Sequence, residues 1–123
     1  MIILGVDPGT IFTGFGIINY NKNSFTRVEN GLIKLSPVKT ISQKLESIYD
    51  GLDRVIKTYK PDEFAIETAF YGKNVQSAMK IGYARGVSML AAAAKSELFS
   101  PIHRIVGHLI ASDSCARAVD PYL

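Results

Sequence analysis

The sequence predicts one α/β domain built on a mixed sheet. Three observations carry this expectation. Short apolar runs rich in β-branched residues fill the first 35 positions. The hydrophobic period changes from two to about 3.6 after Pro37. A brief apolar strand then separates two helical stretches. A length of 123 residues fits a single core, because chains this short rarely divide it.

Ile2 to Val6 is a short apolar run ended by Asp7-Pro8-Gly9, which reads as a strand buried on both faces. Phe12 to Tyr20 reads as a second strand, with Asn21-Lys22-Asn23 as its turn. Phe25 to Leu35 is the third, and Asn30-Gly31 marks an expected bulge or bend within it. Strands joined by such short loops form an antiparallel meander. Ile41, Leu45, Ile48, Leu52, Ile56 and Tyr59 then recur at spacings of three and four, one stripe of an amphipathic helix that Pro61 ends. Glu63 to Glu67 is a short strand with Phe64 and Ile66 on one face. Asn74 is placed to cap a second long helix reaching about Lys95. Its apolar positions go well around the cylinder and small residues abound, so it needs cover on more than one side, from the sheet and from a partner subunit.

The order is therefore β-β-β-α-β-α. The helical crossover makes the fourth strand parallel to the one it joins, and a right-handed crossover places it centrally, beside the first. The expected architecture is a three-layer domain over residues 1–123: an antiparallel three-strand meander, a crossover helix and a central parallel strand.

Composition removes several classes. Hydrophobic residues make up 47% and charged residues 20%, an ordinary globular mixture rather than a disordered one. No run of about 18 apolar residues is present to span a membrane. The start carries no basic signal-peptide region, and the single cysteine, Cys115, gives no internal disulfide and fits a reducing compartment, so the cytoplasm is expected. The net charge is only +3, but Thr68 to Ser96 holds no acidic residue while Lys73, Lys80, Arg85 and Lys95 lie within it. A polyanionic partner and an ordinary solvated helix face both fit that distribution.

The sharper signal is a pair of carboxylates. Asp7 ends the first strand and Glu67 the fourth; as parallel neighbours about 4.8 Å apart, these strands deliver both side chains to one edge. Ligands of open α/β sheets bind outside the carboxyl ends of strands. Two close carboxylates share a proton or bind a cation, and hard oxygen ligands select Mg²⁺ or Mn²⁺, ions that serve phosphodiester hydrolysis. In the turn, Pro8 fixes the backbone, Gly9 permits close approach and Thr10 offers a hydroxyl, so a phosphate could lie there. A plain tight turn is the alternative.

These residues resemble a known family. Ile3-Leu4-Gly5-Val6-Asp7-Pro8-Gly9-Thr10 with Thr13-Gly14-Phe15-Gly16 looks like the opening of RuvC-type Holliday junction resolvases. Pro61 to Glu67, then Phe70, Lys73-Asn74, Ser77-Ala78 and Gly82-x-Ala84-Arg85-Gly86, looks like that family's central signature. The resemblance covers about residues 2 to 98. It implies an RNase H-like fold, a homodimer, and metal-dependent symmetric nicking of four-way DNA junctions in recombination and repair. The implied partners are branch-migration and junction-binding proteins. Asp7 and Glu67 match two metal-binding carboxylates. Phe70 matches an aromatic near the junction, where stacking on an unpaired base is its use; a core or interface role is the alternative. Lys73, Asn74, Lys80 and Arg85 are the DNA-contact candidates, Arg85 being equally suited to dimer packing on the helix of Gly82 and Gly86.

Beyond Phe99 the likeness fades, and residues 100–123 form an atypical tail. The resemblance implies two further acidic residues three apart on a final helix; the tail's acids, Asp113 and Asp120, lie seven apart. The chain is thus expected to be truncated or altered after about residue 99. Ile102, Ile105, Val106, Leu109 and Ile110 give the tail a helical stripe. His103 and His108 are weak candidates for proton handling. Three functions stay open: a junction-resolving endonuclease, a junction-binding or dimerising remnant without catalysis, and an RNase H-like nucleotide-binding domain.

Overall fold

A computed structural model describes residues 1–67, 74–95 and 104–106. The chain lays down β1 (Ile2–Asp7), β2 (Phe12–Asn21), β3 (Ser24–Lys34), α1 (Ile41–Tyr59), β4 (Glu63–Ile66), α2 (Val75–Lys95) and β5 (Arg104–Val106). The strands form one sheet in the order β3-β2-β1-β4-β5. β1 runs antiparallel to β2 and parallel to β4, so the first and fourth strands are central neighbours as the crossover argument requires. Each of the six elements in the expected β-β-β-α-β-α order is found within about one residue of its expected bounds.

The β2–β3 turn works because Lys22 and Asn23 both take positive φ, 48° and 64°, the backbone of a tight hairpin whose twist matches its strands. The Tyr20 hydroxyl donates to Asn23 Oδ1 at 2.7 Å, and the Tyr20 ring rests 4.8 Å from that of Phe25. The expected irregularity in β3 is displaced. Pairing shifts between Ile17 and Ile18, which face Glu29 and Arg27 and leave Val28 as the extra residue, whereas Asn30 and Gly31 keep register. Gly31 serves packing instead: a Cβ there would stand 2.8 Å from the Phe15 ring, so glycine makes room for the phenylalanine opposite.

α1 opens with a capping box that spacing alone did not single out. Thr40 Oγ1 accepts from the Gln43 amide at 3.3 Å, and the Gln43 side chain accepts from the Thr40 amide at 3.0 Å. At the other end Lys60 adopts a left-handed conformation and its amide bonds to Ile56, after which Pro61 forbids another turn. Thr40→Ala is expected to cost about 1 kcal/mol, read as a lower urea midpoint with an unchanged slope.

The core lies between one sheet face and the helices. Leu4, Val6, Ile17, Phe64 and Ile66 meet Ile48, Leu52 and Ile56 of α1 and Ala84, Ala91 and Ala92 of α2. Small residues let α2 sit close against α1, and the buried Ser88 hydroxyl satisfies itself on Ala84 O at 2.7 Å. The described residues thus supply two of the three expected layers.

The tail corrects one expectation. Ile105 and Val106, read as part of a helical stripe, lie in β5, a strand parallel to β4 with Phe64 opposite Ile105. A three-residue window with adjacent β-branched residues fits either period, and the free edge of β4 decides the matter. The rest of that stripe lies outside the described residues.

Candidate metal and phosphate site

The β1–β4 pairing continues one residue past the last rung. The Glu67 amide donates to Val6 O at 3.1 Å, which fixes Glu67 beside Asp7. Strand alternation sends both side chains to the face opposite Val6 and Ile66. They are close enough to hydrogen-bond one another. Burial raises the Glu67 carboxyl above the ordinary carboxylate range, and the hydrogen bond and negative charge of Asp7 push it the same way. Gly14 stands opposite Asp7 in the ladder, so the surface next to the pair is low.

The turn between β1 and β2 is locked by one side chain. The fully buried Thr13 donates through Oγ1 to Gly9 O at 2.9 Å and accepts from the Gly9 amide at 3.2 Å. Gly9 is required by close approach: a Cβ would fall 2.5 Å from the Phe12 carbonyl oxygen. The Asp-Pro-Gly-Thr segment is therefore a rigid shoulder beside the carboxylates, and Asp7, Thr10 and Lys80 share a cleft there.

Of the other candidates, Asn74 is at the N-terminus of α2, its Oδ1 accepting from the amides of Gln76 and Ser77 at 3.0 and 3.4 Å. The cap anticipated from sequence is present, and it leaves only the amide nitrogen for another contact. Arg85 is half-buried away from the cleft, and its Nε meets no hydrogen-bond partner among the described residues. Phe70 and Lys73 lie outside the described residues, as do His103, His108, Asp113, Cys115 and Asp120. Among the described residues no cluster of three or more His, Cys, Asp or Glu side chains forms. Lys44 and Ser77 also line the cleft and were not anticipated. The signal for Lys44 was topological: a helix that follows the third strand of a meander starts at the edge where the first strand ends.

Two carboxylates thus meet from adjacent parallel strands, beside the tight turn from Asp7 to Phe12. The family model described as crossover junction endodeoxyribonuclease RuvC matches residues 3–103. This chain belongs to the RuvC family.

It is 45% identical over 93 residues to the crossover junction endodeoxyribonuclease RuvC of Pelotomaculum thermopropionicum, covering 76% of this chain and 57% of that protein. It is 48% identical over 91 residues to the RuvC of Syntrophotalea carbinolica, covering 74% and 56%. The chain thus spans a little over half the length of the curated relatives it matches. Thermus thermophilus RuvC in complex with a Holliday junction substrate superposes with a TM-score of 0.74 at 20% identity, covering 88% of this chain and 64% of that one. The yeast mitochondrial Holliday junction resolvase gives 0.60 at 9% identity, covering 84% and 50%. The fold is RNase H-like, as the sequence implied. No helix among the described residues is long and apolar enough to cross a membrane.

Proposed function

We propose that this chain carries the metal-binding core of an endodeoxyribonuclease that resolves four-way DNA junctions. The observation that carries the reading is the contact between Asp7 and Glu67 at the carboxyl edge of β1 and β4, in a chain of the RuvC family. The donor set is all carboxylate oxygen, which suits Mg²⁺ or Mn²⁺. Such an ion, when bound, lowers the pKa of water and steadies the leaving oxygen. Asp7 and Glu67 hold the charge that draws it in; the low surface at Gly14 admits the sugar-phosphate chain; Pro8, Gly9 and Thr13 keep the shoulder from yielding. Lys80 neutralises phosphate charge beside Asp7, Asn74 offers its amide nitrogen, and Lys73 and Phe70 add a cation and a stacking ring. Contacts of this kind give affinity without reading sequence.

A homodimer fits the outer face of α2. Val75, Met79, Tyr83 and Leu90 are exposed on one stripe with Gly82 and Gly86, and Val75 is 73% exposed, an apolar surface suited to a second copy. Arg85 belongs with this helix-packing role more than with DNA. Branch-migration and junction-binding proteins are the further partners, on the ground of family membership, and the cytoplasm is where such a protein meets its DNA.

The test is incubation of a labelled synthetic four-way junction with Mg²⁺ or Mn²⁺, against a linear duplex. Paired symmetric nicks on the junction alone are expected. Binding without nicks would favour the catalytically impaired remnant.

The raised Glu67 carboxyl makes a separate prediction. A folded-state pKa above the unfolded value stabilises the fold at low pH, and that contribution disappears as pH climbs through the raised value. Without metal, melting temperature should therefore fall as pH rises above the ordinary glutamate range. Asp7→Asn should flatten part of that fall, burial remaining. Mg²⁺ at about a hundredfold excess over its Kd should return about 2.7 kcal/mol to the native chain and much less to Asp7→Asn, read by thermal melts with and without chelator.

A further inference from the structure

Beside the carboxylate pair lies a cleft of about 540 Å³ that the pair itself does not fill. One wall is the turn from Asp7 to Phe12; the other is built by Lys44 of α1 and by Ser77, Lys80 and Ile81 of α2. The topology explains the convergence. β3 runs parallel to β1, so α1 begins at the edge where β1 ends, and α2 begins at that same edge after β4. Lys44 sits in the first turn of α1 and Lys80 in the second turn of α2.

The charge of this wall is left uncompensated. Helix N-termini carry partial positive charge that acidic first-turn residues ordinarily offset, yet neither α1 nor α2 has an acidic residue in its first turn. Asp7 is the sole carboxylate among the described residues that line the cleft. Neither lysine forms an ion pair with a described residue, in contrast to Lys57 at the far end of α1, which Asp53 holds at 3.0 Å. Glu67 takes no part in the lining, so an anion seated between the lysines lies next to the carboxylate pair rather than upon it.

We propose that this cleft is a second phosphate seat, in which Lys44 and Lys80 grip from two helices the DNA phosphate neighbouring the one at the carboxylates. The Ser77 hydroxyl supplies a neutral donor. The strand then leaves the carboxylate pair over the Pro8–Phe12 shoulder toward the helices, and Lys44 is a positioning residue for it. The proposal rests on the DNA reading given above and adds to it a residue and a direction.

The test is binding of a synthetic four-way junction by the full chain in chelator, followed by fluorescence anisotropy across a salt series. Each neutralised phosphate contributes about 0.9 to the slope of log K against log salt on duplex, and about 0.7 on single strands. Lys44→Met and Lys80→Met are each expected to reduce that slope by nearly one and to weaken binding several-fold at low salt. Lys44→Arg restores the slope, which separates lost charge from damaged folding, and Lys57→Met leaves it unchanged. Junction binding whose slope is untouched by Lys44→Met, or altered equally by Lys57→Met, overturns the second seat and leaves the junction reading standing. No junction binding by the native chain overturns both.

Discussion

Asp7→Asn and Glu67→Gln are each expected to lower junction cleavage by at least about a thousandfold, about 4 kcal/mol in activation free energy, while junction binding stays within about twofold. Both substitutions keep shape and remove one unit of negative charge from a site whose two side chains lie within hydrogen-bonding reach. An amide oxygen is a poorer ligand for a hard divalent cation than a carboxylate, so the ion is lost before the fold is disturbed. Junction affinity is not expected to fall, because carboxylates repel phosphate; in chelator the variants should bind slightly tighter. Single-turnover nicking of a labelled junction, alongside anisotropy, separates the effects. Equal losses of binding and cutting would assign Asp7 and Glu67 to substrate contact and remove them from metal binding.

Phe64→Ala should have the largest effect on stability, about 3–5 kcal/mol. Phe64 is fully buried in the central strand β4, opposite Leu4 on β1 and within the cluster that joins the sheet to both helices. A domain of this size has about 5–15 kcal/mol in total, so the variant should be partly unfolded at 37 °C. Its neighbour Glu67 lies three residues along the same strand direction, and the metal response of the melting temperature should weaken with the fold. A urea titration followed by circular dichroism measures the loss. A cost below about 1 kcal/mol would mean that the cavity collapses around the missing ring.

Much of this fold is legible in the sequence because its elements obey one period each. The stripe from Ile41 to Tyr59 fits no strand, and the run from Ile2 to Val6 is too short for a helix. Asp7 and Glu67 could be paired in advance because the crossover rule makes their strands neighbours, and the signature around Glu67 identified the family. Features set by single side chains across the sheet were hidden. Nothing local to Asn30-Gly31 tells that the bulge belongs at Val28, or that Gly31 makes room for the Phe15 ring across the sheet. Ile105 and Val106 carry too few residues to declare a period, and the edge of β4 settles their state. Lys44 reads as one more polar position of an amphipathic helix until the turn from Asp7 to Phe12 is placed across from it.

The parallel pairing of β1 with β4 also bears on how the chain acquires its shape. The β1–β2 and β2–β3 pairings join segments that are adjacent in sequence, and hairpins of that kind close within microseconds. The β1–β4 register aligns Ile3 with Glu63 and Val6 with Ile66, so it demands closure of a loop about sixty residues long, whose entropy must be met before the contact returns anything. Formation of α1 shortens that loop. The meander is accordingly expected to precede the β4 docking step, and Asp7 and Glu67 to come together last. A half-folded chain would hold its hairpins and still be unable to capture a cation, which couples the appearance of the site to completion of the fold.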